Sequence, residues 1–399
     1  MYMQPKKFHI TDFPQKLFIL LKKDFREKLI DLSIENVGGK RKLGEYLKIK
    51  KLHTINRWRK ASIDRGNGWV TPQFMPLSRL LILQKLVSKQ ISIKDIEKNI
   101  ESIKARGPGN LIKNPNLPLV EDERIVRIIV HLIGDGFAKS ANTQFYRNTD
   151  ENLRREFIDD LGVFGGVEIK EKDTFVFFPI CITHILKKIY NVDFMSKTAR
   201  VPEFIFQAPE SLVSSAIRAF ADDEGCVSDR GMTLYSSNKS LLEDFKKLIK
   251  DTFPSLKITT EYSRERHNTI EHSFVINQKS LEDFNRLIGT SHSKKKEDIL
   301  FYLHKQERDW NHRYKWKTKI LILKSLLESP KTTKKLAKEL LMNLSMISSH
   351  INGYKKRGKH VVGLKEKGYI DLVGKYKNER IWKLTEDGRK FLIKNELVN

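Results

Sequence analysis

The sequence predicts an α+β protein in which a duplicated mixed region is flanked by two basic, mainly helical regions. Across residues 121–303, helix-like periodicity alternates with strand-like runs, and the order of these elements occurs twice. Lysine and arginine number 75 against 49 acidic residues, a formal charge of +26. Because such an excess repels itself unless it meets a polyanion, nucleic acid is the expected partner.

The composition also narrows the setting and the kind of metal site. No run of about 18 apolar residues is present, so neither a membrane span nor a membrane partner is expected. The first residues lack an export signal and only two cysteines occur, Cys181 and Cys226, which predicts a reducing, cytoplasmic setting. Without a Cys/His cluster at ligand spacing, any metal is expected on oxygen ligands.

Three domains are the simplest division of the chain. Residues 1–120 are basic and predicted to be helical, with loop-like glycine segments at 65–68 and 106–110, and Pro115 and Pro118 mark a linker. Residues 121–305 hold the duplicated region. Residues 306–399 begin with a charged stretch, continue as basic helices and end in a strand-rich segment.

The central duplication is visible element by element. The first copy predicts a helix ending near Asp135, a strand at 144–148, a helix at Glu151–Leu161, a strand at 174–180 and a helix at 183–189. The second predicts a helix ending near Glu224, a strand at 232–236, a helix at 241–249, a strand at 273–276 and a helix at 281–288. Two similar halves predict a domain with pseudo-twofold symmetry.

In each copy the first helix ends in an acidic residue, Asp135 or Glu224, followed by the glycine expected just past a helix end. Small residues such as Gly134 would let the two helices approach closely and place the carboxylates side by side. Adjacent carboxylates repel each other and are favourable mainly with a divalent cation between them, and Mg²⁺ prefers such ligands. The competing interpretation is an ordinary acidic-glycine turn.

These stretches resemble the LAGLIDADG family of homing endonucleases, and residues 121–303 follow the family's order of elements in both halves. The second copy, 217–225, is the stronger match, and the preceding segment 200–203 is similar to the family's lead-in. The resemblance implies a pseudo-dimeric αββαββα pair, with a saddle of strands over the major groove of double-stranded DNA and a metal site over the minor groove.

The resemblance further implies a chemistry, the hydrolysis of phosphodiester bonds with Mg²⁺ or Mn²⁺, in which cations activate water and stabilise the leaving oxygen. Asp135 and Glu224 would be the metal ligands. Lys197 and Lys295, in the similar tails that follow the two copies, are candidate catalytic residues that would polarise the water.

Basic residues of the predicted strands would contact phosphates or base edges. The candidates are Lys139, Arg147, Lys170, Arg230, Arg264 and Arg266. The competing interpretation, for these residues and for the two tail lysines, is a solvated charged surface. His131, on the apolar face of its helix, is expected to be a core histidine, and Asp223 to add only negative charge near the site.

The N-terminal region is predicted to contain a helix-turn-helix between residues 39 and 61. Its packing residues would be Leu43, Tyr46, Leu47, Ile55 and Trp58. The second helix would present polar side chains to the major groove, namely Asn56, Arg57 and Arg59. A plain pair of amphipathic basic helices is the competing interpretation.

The C-terminal region resembles a winged helix-turn-helix, with helices at 320–327, 333–340 and 345–354 followed by two strands around a basic turn. Three residues of its third helix could reach bases: Ser348, Ser349 and Asn352. A helical domain for protein contact is the competing interpretation.

Together these patterns favour a sequence-specific, metal-dependent DNA endonuclease that is free-standing rather than part of an intein and, with both halves in one chain, monomeric. Two alternatives stay open. A non-cleaving transcription regulator would use the same fold with flanking DNA-binding modules. An RNA splicing cofactor would bind structured RNA by shape and phosphate contacts.

Overall fold

The computed structural model describes residues 5–60, 62–64, 70–107, 109–138, 144–266, 269–311, 317–356, 359–376 and 379–394. The chain divides into two compact units, Met1–Lys296 and Glu297–Asn399. Within the described ranges, no helix is long and apolar enough to cross a membrane.

The N-terminal region mixes helices with strands. Its elements are β1 (Lys7–Phe8), β2 (Phe18–Leu21), α1 (Lys23–Asn36), α2 (Lys40–Tyr46), α3 (His53–Arg59), β3 (Ser62–Asp64), β4 (Val70–Pro72), β5 (Met75–Pro76), α4 (Leu77–Leu86), α5 (Ile93–Lys98), β6 (Ile100–Lys104), β7 (Ile112–Lys113) and β8 (Leu119–Val120). The region is thus not built from helices alone, and the sequence did not predict its strands. Runs such as β2 and β6 are short and apolar, and periodicity does not distinguish a strand from a buried helix over so few residues.

The predicted packing residues of α2 and α3 are mostly buried. Leu43, Leu47 and Ile55 are at most 1% exposed, and Trp58 is 8% exposed. Tyr46, which was expected to pack inward, is instead 58% exposed. Both helices contact α1. Residues four apart lie on the same face of a helix, so Leu43 and Leu47 both point inward. In this short helix the Tyr46 side chain lies off that face and points outward.

The first repeat follows directly. Its elements are α6 (Glu123–Gly134), β9 (Gly136–Phe137), β10 (Phe145–Arg147), α7 (Glu151–Leu161), β11 (Gly166–Val167), β12 (Lys170–Lys172), β13 (Phe175–Phe177) and α8 (Ile180–Tyr190). Its four-stranded antiparallel sheet has the order β12-β13-β10-β9. The predicted helix Glu151–Leu161 is present, and the strand expected at 174–180 is shorter because Pro179 starts the next helix.

The second repeat has the same order with longer strands. Its elements are α9 (Glu203–Phe206), α10 (Glu210–Glu224), β14 (Gly225–Ser228), β15 (Gly231–Ser236), α11 (Lys239–Thr252), β16 (Ile258–Arg266), β17 (Thr269–Asn277), α12 (Leu281–Leu287) and α13 (Ser293–Asn311). The sheet order is β14-β15-β17-β16, again antiparallel. Three short 3-10 turns complete the unit, at Ile10–Asp12, Gly162–Phe164 and Gln278–Ser280.

The N-terminal region and the first repeat share a sheet. Strand β11 of the repeat pairs with β7, which extends the order to β11-β7-β6-β2-β5. Gly165 and Gly166 allow the approach, since a Cβ on Gly165 would lie 2.6 Å from the carbonyl oxygen of Asn114. The boundary expected near residue 120 is thus crossed by backbone hydrogen bonds.

Helices α6 and α10 pack against each other at the centre of the first unit. Asp122 caps α6 by accepting the N–H groups of Arg124 and Ile125. The side chains from Ile128 to Ile133 are buried almost completely, so the second half of α6 is enclosed on all sides by other elements.

The second unit is built from short helices on a small sheet. Its elements are α14 (Lys317–Glu328), β18 (Lys331–Thr332), α15 (Thr333–Glu339), α16 (Leu344–Asn352), β19 (Tyr354–Lys356), β20 (Lys359–Val361), β21 (Ile370–Tyr376), β22 (Glu379–Leu384) and α17 (Glu386–Lys394). The main sheet has the order β18-β22-β21. Trp382 is 1% exposed at its core, and its indole N–H donates to the Thr333 hydroxyl at 2.9 Å.

A candidate metal centre at the ends of two helices

Asp135 and Glu224 lie at the C-terminal ends of the two central helices. Asp135 follows α6 directly, and Glu224 is the last residue of α10. Burial raises the pKa of Asp135 to about 8, and the charges of Asp223 and Glu224 add to that effect. Burial likewise raises the pKa of Glu224 to about 7, with a contribution from Asp223. The two carboxyl groups therefore belong to one electrostatically coupled site.

The glycine after each carboxylate is required by close contact. A Cβ on Gly136 would lie 2.4 Å from Cα of Leu132, and a Cβ on Gly225 would lie 2.2 Å from the carbonyl oxygen of Ala221. The expected reason was the freedom of glycine at a helix end. The observed reason is that the backbone of each following strand begins in close contact with the last turn of the helix, where no Cβ would fit. This contact fixes the position of the preceding carboxylate.

Asp223 lies buried between the helices and joins the two repeats. Its carboxylate accepts the Tyr146 hydroxyl at 2.8 Å and lies 2.9 Å from Nδ1 of His131. The Asn148 amide donates to Asp135 at 3.3 Å and to Asp223 at 3.4 Å. Strand β10 of the first repeat and α10 of the second thus hold Asp135 through a connected set of hydrogen bonds.

His131 is the buried histidine that the sequence predicts. Burial alone would lower its pKa, but the charge and the hydrogen bond of Asp223 outweigh that effect and raise the pKa. Its Nε2 has no hydrogen-bond partner among the described residues. Asp223 therefore does more than add charge near the site, since it pairs with a histidine of the opposite helix.

The tail after the second repeat closes the end of α10. Lys295 is 9% exposed, and its ammonium group donates to the carbonyl oxygens of Ala221, at 2.9 Å, and Asp222. The Asp222 carboxylate accepts the N–H of Ser291 at 3.0 Å and the Thr290 hydroxyl. A cation here complements the helix dipole. The buried ammonium, whose pKa burial lowers, holds the turn that carries Glu224.

The two candidate lysines occupy different surroundings. Lys295 lies within the site, among the charges of Asp135, Asp223 and Glu224. The Lys197 side chain is exposed. Its neighbour Ser196 lines, together with Glu224, a cavity of about 350 Å³ beside the helix ends. The structure therefore brings Lys295 to the carboxylates, whereas Lys197 is only the sequence neighbour of a residue that lines the cavity.

The basic strand residues lie mainly on the surface. Arg147, Lys170 and Arg230 are exposed. Arg264 donates to the Glu271 carboxylate at 2.7 Å and lies 5.5 Å from the ring centre of Tyr235. Lys139 and the side chain of Arg266 lie outside the described residues.

The flanking candidates are also at or near the surface. In α3, Asn56 and Arg57 are exposed, whereas Arg59 makes two hydrogen bonds of 2.8 Å to Asp31 of α1. In α16 the partly exposed residues include Ser348, Ser349 and Asn352. Asn352 donates to the carbonyl oxygen of Ser348 at 3.0 Å.

Three residues of the site were not among the sequence candidates, namely Tyr146, Asn148 and Asp223. A signal for Asp223 was present, because α10 ends in three consecutive acidic residues after a run of mainly small and apolar ones, and a carboxylate that is buried there must find partners. The partners themselves come from a strand about 75 residues earlier in the chain. Their identity depends on tertiary contact, which helix periodicity does not reveal.

We expect Gly134→Ala to destabilise the protein by about 1–3 kcal/mol, the usual cost of overpacking a core. A Cβ at this position would lie 2.9 Å from Oδ2 and 3.2 Å from Cβ of Asp223. Urea unfolding would measure the change. Gly162→Ala is the matched control, because a Cβ there meets nothing within 4 Å. Equal changes in the two variants would contradict the contact.

The fold and the site define a protein with two similar α-β repeats whose central helices end in paired carboxylates. The family model described as a LAGLIDADG-like domain matches residues 211–289, which span α10 to α12. No curated protein sequence matches the chain. The second repeat is therefore similar to a LAGLIDADG-like domain over those residues.

Solved structures also show similarity. The homing endonuclease I-DmoI in complex with DNA and Mn is 17% identical, with 43% of this chain and 98% of that chain covered and a TM-score of 0.31. Full-length DUF199/WhiA from Thermatoga maritima is 15% identical, with 57% of this chain and 88% of that chain covered and a TM-score of 0.32.

Proposed function

We propose that this chain is a divalent-metal-dependent endonuclease that cuts double-stranded DNA at a specific sequence. The observation that supports this most strongly is the convergence of Asp135 and Glu224 at the ends of two packed helices. Burial raises the pKa of both carboxyl groups, to about 8 and about 7. Carboxyl groups arranged in this way gain from a cation that neutralises their shared charge.

The donor atoms fit Mg²⁺ or Mn²⁺. Within the described part of the chain, no group of three or more aspartate, glutamate, histidine or cysteine side chains is arranged to hold a metal ion by itself. Magnesium is commonly held by one or two carboxylates, with waters and substrate phosphates completing its shell. Asp135 and Glu224 would hold the cation, which when bound would activate water and stabilise the leaving oxygen.

The surrounding side chains would position these ligands. The Asn148 amide donates to one oxygen of Asp135 and so orients that carboxylate. Lys295 holds the final turn of α10 in place by its bonds to two carbonyl oxygens. Two of its three ammonium hydrogens are engaged with the backbone, so we assign it to positioning Glu224 and to lowering the local negative charge.

DNA binding would use the two sheets and the flanking regions. In the sheets we assign phosphate or base contacts to Arg147, Lys170, Arg230 and Arg264. In the N-terminal region α2 and α3 would act as a helix-turn-helix, with Asn56 and Arg57 toward the major groove. In the second unit α14 to α16 with β21 and β22 would act as a winged helix-turn-helix, with α16 as its recognition helix. The chain would act as a monomer.

The test is to incubate the protein with a supercoiled library of genomic fragments and to sequence all new DNA ends. With Mg²⁺ we expect shared ends at one long site, and with Ca²⁺ we expect binding without cleavage. Ends that are random, or identical with and without the protein, would contradict the proposal. Tight binding to one site without cleavage in any metal would instead favour a non-cleaving regulator, which the two flanking helical regions also suit.

Divalent cations are expected to stabilise the folded protein. At a concentration about 100-fold above Kd, a ligand that binds only the folded state adds about 2.7 kcal/mol. The increase in Tm with Mn²⁺ should be larger at pH 8 than at pH 6, because Asp135, whose pKa is raised to about 8, must lose its proton to bind metal.

Asp135→Asn should remove most of this stabilisation, and Asp229→Asn, an exposed aspartate in the turn after β14, should retain it. If Mn²⁺ raised the Tm of wild type and of Asp135→Asn by the same amount, the cation would bind at another site.

A further inference from the structure

The sheet of the first repeat carries four phenylalanines on one face, which we call the phenylalanine face. They are Phe137, Phe145, Phe175 and Phe177. Alternate residues of a strand point to opposite sides, and the intervening Tyr146 and Val176 are fully buried against the helices. The register places the four rings together, with centroids of neighbouring rings 5.0 to 6.0 Å apart.

The rings are only partly buried, although phenylalanine gains much from full burial. The fold itself does not require them. The register of the second sheet identifies the equivalent positions, and these hold Cys226, Thr233, Ser273 and Val275. The corresponding face of the second sheet carries Tyr235 and Tyr262, whose rings bear hydroxyl groups, whereas the four rings of the first sheet are wholly apolar. A cluster of apolar rings left partly exposed is the kind of patch that marks an interaction site.

Basic side chains surround the phenylalanine face. Lys170 pairs in register with Phe177, and Lys172 with Phe175. The guanidinium of Arg147 lies 5.3 Å from the ring centre of Phe175. No acidic residue of the described strands of this sheet lies on that face, because Glu171 points to the other side, where it pairs with Arg154. The charge therefore complements a phosphate backbone.

A small cavity adjoins the same face. It has a volume of about 130 Å³, and its lining includes Phe177, Arg106 and Asn110. Side chains of these types donate and accept hydrogen bonds to the edges of bases. An aromatic wall beside a few polar groups matches the way in which proteins hold a base that has left its stack.

We propose that the phenylalanine face stacks unpaired bases of the bound nucleic acid, so that the target has a bulge, loop or extruded base at the first repeat. The inference rests on the proposed function only in that the chain binds nucleic acid. Bases inside a duplex offer a groove only their edges, whereas unpaired bases offer a flat surface to aromatic rings. A protein partner would cover the rings but would not need the basic border.

The probes are a fully paired DNA duplex, the same duplex with a three-nucleotide bulge that contains 2-aminopurine, and an RNA duplex with the same bulge. We expect the bulged probe to bind about 5- to 100-fold more tightly than the paired one for each base stacked, with a change in 2-aminopurine fluorescence. Comparison of the bulged DNA and the bulged RNA shows whether the phenylalanine face prefers unpaired deoxyribonucleotides or ribonucleotides.

Phe145→Leu and Phe175→Leu keep the face apolar but remove rings, and each should lose most of the preference for the bulge while affinity for the paired duplex stays the same. Tyr262→Leu, on the corresponding face of the second sheet, should keep the preference. Thermal unfolding of each variant verifies that it is folded.

Equal affinity of the wild type for bulged and paired duplexes would overturn the inference and leave the proposed function standing. Retention of the preference in both phenylalanine variants would also overturn it. Failure to bind all three probes would likewise overturn the inference, whereas the proposed function is tested separately by the mapping of new DNA ends.

Discussion

Glu224→Gln is expected to reduce DNA cleavage on the order of 10³-fold, the scale observed when one group that stabilises transition-state charge is lost. The amide keeps the size of the side chain but removes the charge that would hold the cation. Asp135→Asn should act similarly, because it removes the other half of the pair. Affinity for the target in Ca²⁺ or without metal should remain nearly unchanged, since in the proposed function the sheets and flanking regions would make most of the contacts with DNA.

The measurement is the single-turnover cleavage rate beside equilibrium binding on the same DNA. Glu282→Gln is the matched control for Glu224, because Glu282 is an exposed glutamate on α12 of the same repeat. A parallel loss of binding and cleavage in Glu224→Gln would show a structural role instead, and undiminished cleavage would remove Glu224 from the site.

Asp223→Ala is expected to lower the free energy of unfolding by about 3–5 kcal/mol, the usual cost of removing one partner from a buried ion pair. His131 would lose the carboxylate that faces its Nδ1, and the hydroxyl of Tyr146, which is fully buried, would lose its acceptor. Neither group has access to water that could replace the lost hydrogen bond, so the penalty should appear in full.

The loss should depend on pH. Asp223 raises the pKa of His131 in the folded state, so the stabilisation from this ion pair is complete below the unfolded pKa of about 6.5 and declines as pH rises through the folded value. Urea unfolding of wild type and Asp223→Ala between pH 5 and pH 9 measures the difference, with the exposed Asp229→Ala as control. A difference that grew with pH would contradict the ion pair.

The sequence predicted the repeat, the paired carboxylates and many element positions, because these follow from local patterns. Helix Glu151–Leu161 begins after a capping Asp150 and alternates apolar and polar residues with helical period, so its ends could be placed to the residue. Asp135 and Glu224 were identified because each precedes a glycine at equivalent points of two similar segments.

The remaining features depend on contacts between distant segments. The N-terminal sheet was missed because β2 and β6, about 80 residues apart in the chain, are short apolar runs that become recognisable as strands only when paired. Tyr46 was placed inward because an aromatic residue near two leucines suits a core, but a seven-residue helix has room for one buried face only. The partners of Asp223 likewise come from another repeat.

The strand pairing between β7 and β11 also bears on how this protein could be taken apart or recombined. Residues 1–120 are not an independent cassette, because removing them would expose the backbone edge of β11, and unpaired edges invite association with other chains. An N-terminal region grafted from another protein would have to supply a strand that pairs with β11 in place of β7. Under the proposed function, a new N-terminal specificity would require changes to the surface of α2 and α3 that leave the shared strands in place.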